Sequence, residues 1–314
     1  MNFDIDKHTI LLTLQGSRAY GTFTPESDYD YKGVAIPPKE YFHGFSSVFE
    51  QKEESVAKGH PHDKVIYDLR KFMHLASLAN PNILDVLFAS DSDRVSVNRW
   101  GEMLLAERNL FLSKKVRHSF AGYAHSQLVR LKNHRAWLLN PLTSKPLRSE
   151  FGLPEVGNKV VSSSIMGAFE ELKSDGYSFG GEVMVAIAKE KQYATALQHC
   201  NQYENWKKTR NPVRAAMEAK YGFDGKFGLH LIRLLRMCVE ILEGKGVIVK
   251  RPDAQDLLDI RNGVWSYDQL MEEADKLEKR AEELYVTSTL PHHPDMKRLD
   301  ALCVEIVESF LSAQ

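Results

Sequence analysis

Several features that mark particular protein classes are scarce in this chain of 314 residues. It has only three cysteines, Cys200, Cys238 and Cys303, and their odd number and wide spacing fit neither a disulfide framework nor a zinc site. We therefore expect buried or unreactive thiols. No apolar run approaches the roughly 18 residues that a bilayer-crossing helix needs, so we expect no membrane partner. The N-terminal segment also lacks the pattern of a signal peptide, which predicts a cytoplasmic protein.

The chain also lacks an excess of charge of either sign, with 41 Lys and Arg against 42 Asp and Glu. The distribution is uneven, however, because residues 108–149 contain no acidic residue and nine basic ones, interleaved with aromatic side chains. This composition is typical of a nucleic-acid or polyphosphate binder, and the alternative is an ordinary solvated helix face. The candidate acceptor-binding residues in this segment are Lys114, Lys115, Arg117, Arg130, Lys132 and Arg135.

Hydrophobic patterns predict strands mixed with helices in the first third of the chain and mainly helices after it. Strands are predicted over residues 10–15, 28–37 and 64–69, and helices follow over 69–78 and from 81 onwards. The length favours two domains. We place the boundary near residue 110, which predicts domains over 1–110 and 111–314.

Neither a Walker motif nor the glycine fingerprint of a dinucleotide fold is present. The chain has instead a Gly-Ser turn at Gly16 and Ser17, followed by Asp28 and Asp30. In a strand, residues two apart share one face, so the two carboxylates would lie about 7 Å apart along the chain. Such a pair suits a Mg²⁺ ion held together with substrate phosphates, and the turn offers N–H groups and a hydroxyl to those phosphates. The pattern predicts a metal-nucleotide site, and the alternative is an exposed hairpin turn.

A Gly-Ser pair followed by Asp-x-Asp resembles the signature of the DNA polymerase beta nucleotidyltransferase superfamily. Further blocks, among them SDYDYKGV, LRKFMHLASLANPNILDVLF, RSEFGLPE and KFGLHLIRLLRM, are similar to the polymerase-beta-like nucleotidyltransferases that are predicted to act in RNA repair. The resemblance spans nearly the whole chain. It implies an α+β fold, in which a catalytic domain with a mixed sheet and helices precedes a mostly helical domain that contributes to nucleotide and acceptor binding.

The resemblance also implies a third carboxylate on a strand beside the first two. Asp68, at the end of the third predicted strand, is the best match. Asp63 and Asp85 compete, although Asp85 is expected to face solvent or to cap a local contact. Together with Asp28 and Asp30 it would hold two Mg²⁺ ions, with Mn²⁺ as an alternative metal. The ions would grip the triphosphate and activate an acceptor hydroxyl for attack on the α-phosphate. Gly16 and Ser17 would hold the triphosphate, and Arg18 is a candidate contact to the leaving group.

A helix beginning near Lys226 carries further candidate nucleotide ligands. Lys226, His230 and Arg233 lie on the side opposite to its apolar face, where they would clamp a triphosphate together with Arg236. Spacing alone leaves a solvated face equally open, with Arg236 paired to Glu240. The family resemblance favours the nucleotide-facing stripe.

These features lead to one principal function and two alternatives. The principal hypothesis is Mg²⁺-dependent transfer of an NMP from an NTP to a hydroxyl, at an RNA end. The second keeps the enzyme and changes the acceptor to a protein hydroxyl or a small molecule. The third is a catalytically silent module that only binds RNA; the intact set of Gly16, Ser17, Asp28 and Asp30 argues against it.

Overall fold

A five-stranded sheet in the N-terminal part provides the framework of the candidate site. Its strands are β1 (Thr9–Gln15), β2 (Tyr29–Ala35), β3 (Gln51–Val56), β4 (His62–Asp68) and β5 (Arg94–Val97). The strand order is β3-β4-β2-β1-β5; β2 and β4 run parallel and the other neighbours are antiparallel. The three predicted strands are present as β1, β2 and β4. The edge strands β3 and β5 are absent from the prediction because β3 is largely polar and β5 has only four residues.

The computed structural model describes residues 3–56, 62–155, 163–177 and 180–313, and this part is mostly helical. The predicted α+β class is confirmed. The helices, in chain order, are α1 (Ile5–His8), α2 (Gly16–Tyr20), α3 (Glu40–His43), α4 (Leu69–Ser77), α5 (Pro81–Leu87), α6 (Arg99–Ala106), α7 (Val116–Leu139), α8 (Ser163–Ser174), α9 (Gly181–Thr209), α10 (Pro212–Tyr221), α11 (Gly225–Leu242), α12 (Ala254–Arg261), α13 (Tyr267–Thr287) and α14 (Met296–Leu311).

Side-chain caps fix where the helices around the sheet begin. The Asp68 carboxylate accepts hydrogen bonds from the first-turn N–H groups of α4, and the Asn80 side chain does the same for α5, whose first residue is Pro81. Asp224 caps α11 in the same way. Because a cap satisfies N–H groups that have no partner within the helix, these residues set the register of each helix against the sheet.

Two compact units make up the chain: residues 1–131 together with 223–314, and residues 132–222. The predicted division at residue 110 differs from this one. The first unit buries the sheet side chains Leu11 and Val34 in one apolar core with Leu231 of α11 and Ile306 of α14, so the chain returns to the sheet after residue 222. A sequence pattern of helices after residue 110 does not reveal that return.

The second unit has its own apolar centre. Trp137, Tyr203 and Trp206 pack together there, and the Trp137 indole N–H donates to His199 Nε2 at 2.8 Å. The cluster joins the C-terminal part of α7 to α9 within that unit.

The cysteines match the expectation of unreactive thiols. Cys200 and Cys238 are buried and Cys303 is half-buried. Burial raises the pKa of Cys238 to about 12 and that of Cys303 to about 11, so both stay protonated near neutral pH. Among the described helices, none combines the length and the apolar character that crossing a bilayer would require.

Candidate active site

Three carboxylates meet at the start of the parallel strand pair. Asp28 comes directly before β2, Asp30 is its second residue, and Asp63 stands opposite Asp30 in the β2–β4 register. Residues paired across neighbouring strands point to the same face, and the strands lie about 4.8 Å apart. Asp30 and Asp63 therefore project together from one face of the sheet.

The electrostatics of Asp30 favour a cation at this position. Burial, followed by the neighbouring Asp63 carboxylate, raises the pKa of Asp30; Asp28 adds to the rise, while Lys32 and Lys226 oppose it. Ionised Asp30 is therefore costly to the free protein. A divalent cation would offset that repulsion, and a set of carboxylate oxygens is the donor chemistry that Mg²⁺ prefers. The residues present thus fit the metal that the sequence analysis expects.

The Gly-Ser turn lies directly against the carboxylates. Gly16 has φ of +66°, and a Cβ added there would come within 2.0 Å of Asp30 Oδ2. Any other residue would be strained in this conformation and would also collide with the carboxylate. Ser17 follows in the first turn of α2. Gly16 therefore lies directly beside Asp30, and Ser17 is the next residue along the chain.

Arg18 has a different place from the one expected for a triphosphate ligand. Its Nη2 donates to the Ser27 carbonyl at 2.8 Å and its Nε donates to the Asp28 carbonyl at 3.3 Å. The guanidinium also lies 3.7 Å from the ring centre of Tyr29. Arg18 therefore holds the backbone that carries Asp28, and we correct its role to a positioning one.

The structure does not bring Asp68 to the carboxylate group. Asp68 pairs in register with Ala35, five positions further along β2 than Asp30, which is about 16 Å of strand. An odd number of residues also places it on the opposite face of the sheet. Its carboxylate caps α4 and pairs with Arg70 Nε at 3.1 Å. The assignment of Asp68 as third carboxylate is therefore corrected in favour of Asp63, the alternative by sequence.

Asp85 is buried, contrary to the expectation that it faces solvent. Only 1% of its surface is exposed, and the Tyr20 hydroxyl donates to its Oδ2 at 2.5 Å. Arg233 Nη1 lies 3.8 Å from the same oxygen, with its guanidinium 3.8 Å from the Tyr20 ring centre. Burial raises the pKa of Asp85, while Arg233 opposes the rise. This buried group of Tyr20, Asp85 and Arg233 links α2, α5 and α11.

The stripe predicted on α11 separates into residues of different roles. Arg233 is only 6% exposed and belongs to the buried group, so its assignment to the triphosphate is corrected to a structural one. Arg236 pairs with Asp253 at 2.8 Å and with Asp256 at 2.5 Å, and not with Glu240 as the alternative expected. Lys226 is exposed in the first turn and acts electrostatically on Asp30. His230 is half-buried one turn later.

Lys32 is a charged residue of the site that sequence reasoning missed. It follows Asp30 by two positions and so shares its face of β2. Its Nζ donates to Asn82 Oδ1 at 3.3 Å, and burial lowers its pKa. The sequence does contain a signal for Lys32. Alternate residues of a strand share one face, so the pattern that puts Asp28 and Asp30 on one face puts Lys32 there too.

The acid-free segment is largely tied into contacts. Lys114 is 7% exposed and its Nζ donates to the Val286 carbonyl at 3.3 Å; Lys115 Nζ donates to the Ser77 carbonyl at 3.4 Å. Arg117 forms an ion pair with Glu282. These contacts engage all three cations within the chain, so we leave them out of the proposed acceptor site.

The later cations of the same segment lie on α7. Arg130 and Lys132 are exposed, whereas Arg135 Nη1 donates to the Gly222 carbonyl at 2.9 Å. Arg130 and Lys132 therefore remain as candidates for an acceptor contact.

A comparison with protein families finds a match for the part of the chain that carries this geometry. Residues 4–140 match the family model RlaP, described as the RNA repair pathway DNA polymerase beta family. This part of the chain is similar to the polymerase-beta-like nucleotidyltransferases. The match covers the sheet, the Gly-Ser turn and all three carboxylates. No curated protein matches the chain significantly.

Proposed function

We propose that this polymerase-beta-like protein transfers an NMP from an NTP to a hydroxyl of an RNA acceptor, and that Mg²⁺ supports the reaction. The observation that carries the proposal is the meeting of Asp28, Asp30 and Asp63 against the backbone of Gly16. The family of residues 4–140 adds the reaction class and the setting of RNA repair.

Asp28, Asp30 and Asp63 are the residues that would hold the metal. Bound Mg²⁺ would neutralise triphosphate charge and lower the pKa of the attacking hydroxyl. Mn²⁺ has a similar preference for oxygen ligands. Lys32, beside Asp30 on the same strand face, limits the local excess of negative charge.

The chain's own groups would position the triphosphate. The turn at Gly16 lets the backbone approach the phosphates closely, and Ser17 adds a hydroxyl. Lys226 adds an exposed positive charge within electrostatic range of Asp30, and His230 follows one turn later. In the transfer, the acceptor oxygen bonds to the α-phosphorus, pyrophosphate leaves with the electrons of the broken P–O bond, and the hydroxyl proton passes to solvent.

The test of the function is transfer of label from each α-labelled NTP to RNA, with purified protein and Mg²⁺. A parallel incubation with protein acceptors separates an RNA acceptor from a protein hydroxyl. Label in RNA supports the proposal; label only in protein would retain the chemistry and contradict the acceptor.

The choice of third carboxylate gives a direct prediction. Asp63→Asn is expected to lower transfer by about 100-fold or more, because it removes a metal ligand, with little change in stability since Asp63 is exposed. Asp68→Asn is the matched control: asparagine still caps a helix, so transfer should stay near the wild-type rate. Transfer rates and melting temperatures check both variants. Loss of transfer in Asp68→Asn with normal transfer in Asp63→Asn would restore the first assignment.

The acceptor role of α7 gives a second prediction. Replacing Arg130 and Lys132 together by alanine should weaken RNA binding and flatten its salt dependence by about 0.7 in log–log slope for each lost single-strand phosphate contact. Arg117→Ala is the matched control, because Glu282 already neutralises that charge. The measurement is RNA affinity as a function of salt concentration. Equal slopes for the wild type and the double variant would remove α7 from the acceptor site.

A further inference from the structure

Aromatic side chains occupy the other face of β2 at the level of the carboxylates. Tyr29 and Tyr31 alternate with Asp28 and Asp30, so they point away from the metal side. Their ring centres are 6.4 Å apart with planes 13° from parallel, and the His62 ring of β4 lies 6.2 Å from Tyr31. We call Phe23, Tyr29, Tyr31 and His62 the aromatic surface.

Among the described residues, this end of the sheet face is more exposed than the other end. Further along β2, Ala35 is buried in a small apolar cluster with Ile5, Phe49 and Ile66. At the start of β2, by contrast, Tyr29 is 37% exposed and Phe23 in the preceding loop is 48% exposed. An open group of aromatic rings beside a covered apolar cluster indicates a ligand-binding surface more than a part of the core.

Arg18 gives the aromatic surface rigidity and positive charge. Its guanidinium lies 3.7 Å from the centre of Tyr29 and 5.2 Å from that of Phe23. The hydrogen bonds to the Ser27 and Asp28 carbonyls hold it in place. A ring fixed before binding loses little conformational entropy when a ligand stacks on it, and a neighbouring cation suits a ligand with phosphates.

We propose that the aromatic surface stacks the bases of a single-stranded acceptor next to its reacting end. The inference rests on the proposed function for the reaction itself. It adds that the acceptor is single-stranded and that its bases bind by stacking. Bases within a duplex are already stacked on one another, whereas unpaired bases are available to aromatic side chains. The rings and the carboxylates lie on opposite faces of the sheet but at the same end of β2, so an acceptor strand that bends around this end would place its bases on the rings and its reacting end near the carboxylates.

The decisive variants are Tyr29→Ala with Tyr31→Ala, and the matched control is Tyr29→Phe with Tyr31→Phe. The probe is a labelled single-stranded RNA of about 12 nucleotides, titrated without NTP. The alanine pair is expected to weaken binding by about 10-fold or more for each base unstacked, and the phenylalanine pair should bind as the wild type does. The slope of log Kd against log salt should stay unchanged, because stacking releases no counterions.

Several outcomes separate this inference from the proposed function. Wild-type affinity in the alanine pair, or an equal loss in the phenylalanine pair, overturns the inference even if NMP transfer is normal. If the wild type transfers no NMP but its RNA binding depends on the rings, the proposed function is overturned and the RNA-binding role of the aromatic surface stands. If the alanine pair loses stability, Tyr29→Ala alone decides the question, since its ring is the more accessible of the two.

Discussion

Asp30→Asn is expected to lower NMP transfer by about 10³-fold or more while leaving the free protein at least as stable as the wild type. Activity is lost because a carboxylate of the metal site is replaced by a neutral amide. Stability is retained or increased because burial and the adjacent carboxylates raise the pKa of Asp30, so its ionised form opposes folding. A residue that mainly held the structure together would show the reverse effect.

The pH dependence of stability provides an independent check of this interpretation. A carboxyl whose pKa is raised on folding contributes no penalty to stability below its unfolded pKa of about 4. The penalty grows between the unfolded and the folded pKa and is constant above the folded pKa. The stability gain of Asp30→Asn should therefore increase as the pH rises above about 4 and level off above the folded pKa. Mg²⁺ should raise the melting temperature of the wild type and not that of the variant. A clear loss of stability in Asp30→Asn at neutral pH would contradict the account.

Arg233→Ala is expected to cost about 3–5 kcal/mol of unfolding free energy, because it leaves the buried Asp85 carboxylate without its cationic partner. For a unit of this size that corresponds to a fall in melting temperature on the order of 10 °C. Lys226→Ala, on the same helix, is the matched control. Lys226 is exposed, so its loss should weaken Mg-NTP binding and leave the melting temperature nearly unchanged.

A double-mutant cycle tests the pairing itself. Removing both Arg233 and Asp85 should cost less than the sum of the two single changes, because no buried charge is then left unpaired. Denaturant unfolding of the wild type, the two single variants and the double variant gives the coupling free energy between Arg233 and Asp85. Additive costs would contradict the pairing of Arg233 with Asp85. An Arg233→Ala variant with the wild-type melting temperature and weaker NTP binding would show that Arg233 contacts the triphosphate.

Local sequence patterns predict the part of the candidate site that lies within one segment. Gly16, Ser17, Asp28 and Asp30 fall in consecutive elements, and strand alternation fixes the shared face of the two carboxylates. The third carboxylate depends on the register between β2 and β4, which no local pattern encodes. Asp63 and Asp68 lie on the same strand, and only the pairing of Asp30 with Asp63 shows which one reaches the site.

Burial was the second property that local patterns did not determine. Lys226 and Arg233 occupy the same side of α11 by helical spacing, yet one is exposed and the other lies against Asp85 and Tyr20. The difference depends on which distant residues pack on each turn of the helix. The basic run at Lys114 to Arg117 shows the same effect, because its partners Val286 and Glu282 come from α13.

Label transfer from α-labelled and γ-labelled NTP to single-stranded RNA, with the wild type and Asp30→Asn compared in Mg²⁺, distinguishes NMP transfer from other phosphoryl-transfer reactions. The account predicts that the wild type places only the α-label on RNA, releases pyrophosphate in equal amount, and loses this activity with the substitution. Equal labelling of RNA by the wild type and Asp30→Asn, or transfer of the γ-label in place of the α-label, would contradict it.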